Sequence, residues 1–198
     1  EAVPHATLIA IDDGSADSTR DVARAACDVV LCFSYNRGKG AALRAGIAEA
    51  LALGASTVIT IDSDGQHPPA AVPSLLAGLA DADLVIGARE RDPELMPLGR
   101  RITNALASAA VGSIVGVRIA DAQSGYRAIR RAVRESVAAR GDRYEYETDF
   151  LIQAVRAGYR IAAVPVATIY GAPSHFGAIR DSARVVRTIW RYRAGVRR

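Results

Sequence analysis

Two aspartates, Asp62 and Asp64, follow the apolar run Val58, Ile59, Ile61. Residues i and i+2 leave an extended strand on the same side, so both carboxylates can converge on one point. Carboxylates that close repel unless a cation sits between them. A hard divalent ion, Mg2+ or Mn2+, meets that need and leaves coordination positions for diphosphate oxygens. Ser63 lies between the pair, and Gln66 just beyond can order a metal-bound water or a phosphate. The same residues also fit a solvated acidic turn, because Asp-Gly is a common turn pair. His67 reads as a turn residue rather than a ligand.

Three further constellations carry polar chemistry. Asp12-Asp13-Gly14-Ser15 ends an apolar run, where acceptor-only carboxylates can take ribose hydroxyls or a base N–H, or cap the next helix. Asn36-Arg37-Gly38-Lys39-Gly40 joins a strand to a helix start. Its glycines allow close backbone approach, and Arg37, Lys39 and the helix end favour an anion. Gln123-Ser124-Gly125-Tyr126-Arg127 is compact and polar, with a glycine that admits a ligand. Glu145, Glu147 and Asp149 sit near a helix start, where acidic residues suit the dipole and where one of them can serve as a general base.

The elements that position these residues alternate strand and helix. Strands are predicted at Thr7–Ile11, Val29–Phe33, Thr57–Ile61, Leu84–Ile86, Gln123–Ile129 and Ile161–Tyr170, the last demoted to an edge or bulge by Pro165. Helices are predicted from Asp17 or Ser18 to Ala26, from Gly40 to Leu53, from Pro68–Pro69 to Ala80, from Arg100 to Ile114, from Tyr146 to Ala157 and from Ala178 to Tyr192. Ile179, Val185, Val186, Ile189 and Trp190 give the last helix an apolar side, and a polar loop spans Glu90 to Pro97. The alternation predicts an α/β fold with a mostly parallel sheet flanked by helices.

A chain of 198 residues, 50% of them apolar, fits one domain, residues 1–198, with a sizeable core. No uncharged apolar run reaches the roughly 18 residues that span a bilayer. Cys27 and Cys32 are too few for a disulfide framework and lack zinc spacing, which leaves them as core filler in a reducing cytoplasm. The net charge of +4 is concentrated at 178–198, where Arg180, Arg184, Arg187, Arg191, Arg193, Arg197 and Arg198 face only Asp181. That basic helix suits a solvated face or anionic lipid; no nucleic acid partner is expected.

The order of the motifs is more specific than any one of them. Asp-Asp-Gly-Ser, Asn-x-Gly-Lys-Gly, Asp-x-Asp-Gly-Gln-His-Pro-Pro, Val-Ile-Gly-Ala-Arg, Gln-Ser-Gly-Tyr-Arg and Tyr-Glu-x-Glu together resemble the family 2 glycosyltransferases of glycosyltransferase A (Rossmann-like) fold, from Thr7 to about Phe176. The nearest likeness is to the dolichyl- or polyprenyl-phosphate mannose or glucose synthase branch. The resemblance implies an inverting hexosyl transfer from a GDP- or UDP-hexose to an acceptor such as a polyprenyl phosphate, with Mg2+ or Mn2+. It implies that Asp62, Asp64 and Gln66 hold the metal, that Asp12 and Asp13 lie near the nucleoside, and that Arg37, Gly38, Lys39 and Ser63 line the donor. It places Arg89, Arg101, Gln123, Ser124 and Gly125 on the acceptor and phosphate side, with Glu147, Asp149 or Glu145 as the base. It also implies a cytoplasmic enzyme, peripheral at the inner membrane face through its basic terminal helix.

Two departures follow. The family opens with a central strand beside the one at Thr7–Ile11, and no such segment precedes Thr7. An N-terminal piece is therefore expected to be missing, leaving a gap or unpaired edges and weak nucleotide binding or none. Many relatives also continue into transmembrane helices, which are not seen here. Two other classes compete: a nucleotide-sugar-binding relative that has lost turnover, and a haloacid-dehalogenase-like phosphatase. The phosphatase leaves Asp-Asp-Gly-Ser and Gln-Ser-Gly-Tyr unexplained.

Overall fold

The computed structural model describes residues 3, 6–90, 98–167, 169 and 178–195, without the side chains of 100 and 178–182. The loop expected at 90–97, the far end of the strand expected to reach Tyr170, the placement of Ile179 and the charges of Arg180, Arg197 and Arg198 lie outside the described side chains. The strands are β1 (Ile9–Asp12), β2 (Val29–Cys32), β3 (Thr57–Thr60), β4 (Leu84–Arg89), β5 (Arg127–Arg130) and β6 (Ile161–Val166). The helices are α1 (Thr19–Ala26), α2 (Lys39–Ala52), α3 (Val72–Gly78), α4 (Leu98–Val115), α5 (Arg131–Ser136), α6 (Glu145–Arg156) and α7 (Ala178–Arg193). Every expected element is present within a few residues; α5 is an addition.

The strands form two separate sheets. β1 pairs with β2 in parallel, while the larger sheet runs β3-β5-β4-β6. β5 is antiparallel to both neighbours, and β4 and β6 are parallel, so β3, β4 and β6 share one direction and β5 opposes them. Pro165 sits on β6, an edge strand, where its missing N–H breaks no ladder on the outer side. The carboxyl ends of β1 and β3 meet the same loop: the Gly38 N–H donates to Asp13, and Lys39 donates to Asp62. These two carboxyl ends therefore lie close together.

Among the described residues no strand lies between β1 and β3, although α2 packs on both. Gly46 of α2 presses on Ile11, and Ile47 joins the main core cluster with Leu84, Ile86, Phe150 and Leu151, onto which Val58 packs. One helix thus packs on both sheets, and among the described residues β1 and β3 each keep one edge without a strand partner. The burial pattern agrees: β4 is sealed along Leu84–Gly87, while β1 and β3 remain half-buried up to their last residue. A second cluster, Leu75, Leu79, Val85, Tyr126 and Val166, fills the α3 side. Cys32 is exposed and Cys27 only partly covered, so the expectation of core cysteines is corrected. Among the described strands β2 pairs with β1 alone, and it has little core to offer.

Candidate functional site

The reversal of β5 brings its entry, Gly125–Arg127, to the carboxyl ends of β3 and β4. Thr60, the last residue of β3, donates its hydroxyl to the Gly125 carbonyl at 2.7 Å and locks the two together. Asp62 follows, and its Oδ2 lies 2.8 Å from Lys39 Nζ. The same ammonium is 3.2 Å from Glu147 Oε2. Burial works against the charge on Lys39, but Glu147 and Asp62 outweigh it and hold the ammonium above the usual lysine range. Gly125 completes the cluster: a Cβ there would stand 2.8 Å from Asp62 Oδ2 and Lys39 Nζ and 2.9 Å from Glu147 Oε1.

The acidic residues of α6 divide by helical period. At 100° per residue, positions 145 and 149 share one face and 147 takes the opposite one. Glu147 turns into the cluster. Glu145 packs on Gly141, and Asp149 accepts from the Arg140 N–H, Gln153 Nε2 and Tyr192 Oη at 2.7, 2.7 and 2.8 Å. Burial and the neighbouring Asp149 carboxylate push the Tyr192 phenol up to about 12. Of the three expected bases, the structure brings only Glu147 to Asp62. The helical period alone carried that distinction.

The Asp12-Asp13 pair is engaged by its own chain. Asp12 accepts the Ser15 N–H at 2.9 Å and Arg20 Nε at 3.2 Å, and its hydrogen bonds to Ser15 hold its pKa below the usual carboxylate range. Asp13 accepts the N–H groups of Arg37 and Gly38 at 2.7 and 2.8 Å and ties the glycine loop to β1. Gly38 itself, at φ 101°, occupies backbone space that favours glycine. Arg37 lies over the Phe33 ring, 4.6 Å from its centroid.

Asp64 and Ser63 are exposed beside the half-buried Asp62, and Asp64 accepts the Gln66 N–H at 3.0 Å. Among the described residues no group of three metal-ligating side chains forms, so the pair Asp62 and Asp64, with Gln66 alongside, is the donor set on offer. His67 is buried with its ring against Tyr126, and burial lowers its pKa.

On the acceptor side Arg89 makes a two-pronged ion pair with Asp121, Nε to Oδ2 at 2.7 Å and Nη2 to Oδ1 at 2.9 Å. Burial pushes the Asp121 carboxyl up, but Arg89 outweighs it and the net shift is downward. Nothing in the residues around Asp121 marks it as this partner, which lies in the turn before Gln123. Arg89 lines an open cavity of about 710 Å³ with Ala105, Ser108, Gly112 and Gly116. Arg101 is half-buried on α4. Ser124 donates to the Gly87 carbonyl at 2.6 Å, so its hydroxyl braces β4, while the Gln123 N–H donates to Asp121 at 3.2 Å.

Arg127 is the internal strut of the site. Its three nitrogens donate to the carbonyls of Ser124 at 2.8 Å, Glu147 at 2.9 Å and Ala122 at 3.1 Å. Burial lowers its pKa, while Glu147 and Asp121 support its charge. Arg127→Met should cost about 3–5 kcal/mol, because three sealed carbonyls and two carboxylates lose their donor or counter-charge. Urea unfolding checks this, and a loss under about 1 kcal/mol would show that the strut carries no strain of the fold.

A model of the family "Glycosyl transferase family 2" matches residues 3–138. An undecaprenyl-phosphate mannosyltransferase of Micrococcus luteus is 32% identical over 206 residues, covering 96% of this chain and 84% of that protein. A polyprenol monophosphomannose synthase of Mycolicibacterium smegmatis is 32% identical over 178 residues, covering 83% of this chain and 67% of that one. The uncharacterized protein MJ1222 of Methanocaldococcus jannaschii is 36% identical over 173 residues, covering 82% and 70%. Glucosyl-3-phosphoglycerate synthase of Mycobacterium tuberculosis, solved with Mn2+, UDP and phosphoglyceric acid, superposes with a TM-score of 0.74 at 24% identity, over 97% of this chain and 69% of that one.

Proposed function

Because this chain belongs to glycosyl transferase family 2 and is a glycosyltransferase that draws on nucleotide sugars, we propose that it moves a hexose, with inversion, from a GDP- or UDP-hexose to a polyprenyl phosphate. The observation that carries this reading is the convergence of Asp62, Lys39 and Glu147 on Gly125 at the carboxyl ends of the strands, where α/β sheets bind ligands.

Asp62 and Asp64 would hold Mg2+ or Mn2+, with Gln66 beside them. The residues fit a cation, since the Lys39 ammonium already stands against Asp62 as a positive charge in that place. When bound, the ion supplies Lewis-acid stabilisation of charge building on the leaving diphosphate. The solved relative that binds Mn2+ with UDP-glucose supports a divalent ion. Arg37, on the glycine loop that Asp13 ties to β1, would meet the donor diphosphate. Glu147 would accept a proton from a hydroxyl acceptor, whereas a phosphate acceptor is already ionised and needs none. The polyprenyl-phosphate relatives support the second. Arg89 and Arg101 would meet the acceptor phosphate from β4 and α4. No helix among the described residues is long and apolar enough to cross a membrane, and the arginines of α7 suit peripheral contact with an anionic lipid surface.

The edges of β1 and β3 that lack a strand partner among the described residues favour a second reading: nucleotide binding without turnover. A thermal-shift titration with GDP and UDP, each with and without Mn2+, separates the readings. One nucleotide should raise the melting temperature only with Mn2+, and Asp64→Ala should abolish the rise. Sugar transfer to polyprenyl phosphate then distinguishes turnover from binding. No rise with either nucleotide, even after a strand is supplied upstream, would sink the transferase site.

A further inference from the structure

One ammonium serves two carboxylates in this site. Lys39 Nζ lies 2.8 Å from Asp62 Oδ2 and 3.2 Å from Glu147 Oε2. The Lys39 side chain is 20% exposed, Asp62 28% and Glu147 6%, so solvent screens the contact with Glu147 least. The ring of Tyr144, 5.5 Å from Nζ, flanks the ammonium, and the absent Cβ of Gly125 leaves the room that it occupies. Glu147 Oε1 is sealed and lacks a hydrogen-bond partner.

Resting on the reading of Asp62 as a ligand of the divalent ion, we propose that Lys39 is an internal competitor for that ion: it occupies Asp62 in the free protein and yields it on metal binding, moving wholly onto Glu147. Oδ2 of Asp62 cannot both accept from an ammonium at hydrogen-bond distance and coordinate a dication, and the two cations repel. Glu147 gives Lys39 a second partner, so release from Asp62 leaves no buried charge unpaired. Metal loading and the electrostatic state of Glu147 are thereby joined through one side chain. An empty donor site keeps Lys39 shared between the two carboxylates. A loaded site leaves Lys39 to Glu147 alone.

The test titrates Mn2+ alone into the protein and counts free Mn2+ by electron paramagnetic resonance, with no nucleotide and no turnover. A competitor that leaves its site free about a tenth of the time weakens binding about tenfold, and its removal restores that factor. Lys39→Gln should therefore bind Mn2+ about tenfold more tightly than the parent. Arg37→Gln removes a cation from the same loop that stacks on Phe33 rather than touching a carboxylate, and it should change affinity less than about twofold. Lys39→Arg, which keeps the charge and suits a carboxylate pair better, should bind Mn2+ no more tightly than the parent, and it carries the test if Lys39→Gln does not fold. Unchanged or weaker binding in Lys39→Gln, equal tightening in Arg37→Gln, or tighter binding in Lys39→Arg each overturns the proposal. If the parent binds Mn2+ and Asp62→Asn does not, such a result leaves the metal reading standing. If the parent binds no more than Asp62→Asn, the metal reading falls and takes the competitor with it.

Discussion

Asp62→Asn should lower hexose transfer by about a thousandfold or more while the fold stays intact. The substitution keeps the shape of the side chain and removes only its charge. Asp62 lies past the end of β3 and is half-buried, and Lys39 keeps Glu147 as a partner, so the stability change should stay under about 1 kcal/mol. Transfer suffers because an amide is a poor ligand for a hard dication and cannot offset charge on the leaving diphosphate. The measurement is transfer of labelled hexose from nucleotide sugar to polyprenyl phosphate, beside a melting curve. Activity within tenfold of the parent at saturating Mn2+ would remove Asp62 from the centre of the site.

The second large effect concerns the seam. A chain extended upstream to supply a strand between β1 and β3 should protect the facing amides of Ile9–Asp12 and Thr57–Thr60 from hydrogen exchange by about a thousandfold or more. Among the described residues those edges have no ladder partner, and α2 is the helix that packs on both. A strand parallel to both must cross back to β1 over a connection of about a dozen residues or more, so a short extension will not serve. The extended chain should also gain transfer activity. Equal exchange in both forms, or full activity from the 198 residues alone, would count against a strand in that place.

Strand positions were legible because short apolar runs stop at polar, glycine-bearing turns, as at Ile61 to Asp62 and Ile11 to Asp12. Asp62, Lys39, Gly125 and Glu147 were each singled out, yet their meeting was not, since it depends on the reversal of β5. Nothing in Arg127–Arg130 marks a strand as antiparallel; its neighbours decide. The family resemblance set Arg89 on the acceptor phosphate side, but its pairing with Asp121 was not legible beside it. Asp121, a lone acid in a turn, becomes that partner only once α4 folds back. Asp12 and Asp13 show the converse: local hydrogen bonds to Ser15 and to the Arg37 loop use carboxylates whose position suggested ligand contact.

The place of β5 bears on how the molecule is made. β3 pairs with nothing but β5 among the described strands, and β4 waits for β5 and β6. During synthesis at about 5–20 residues per second, the nascent chain carries β3 and β4 as bare strands until Arg130 leaves the ribosome. Only the β1–β2 unit can form before then. The apolar residues of β3 and β4, Val58, Ile59, Val85 and Ile86 among them, spend that interval without their final neighbours. Folding yield, rather than the stability of the finished protein, should therefore respond most to substitutions in β5 and to holdase chaperones that act on the emerging chain.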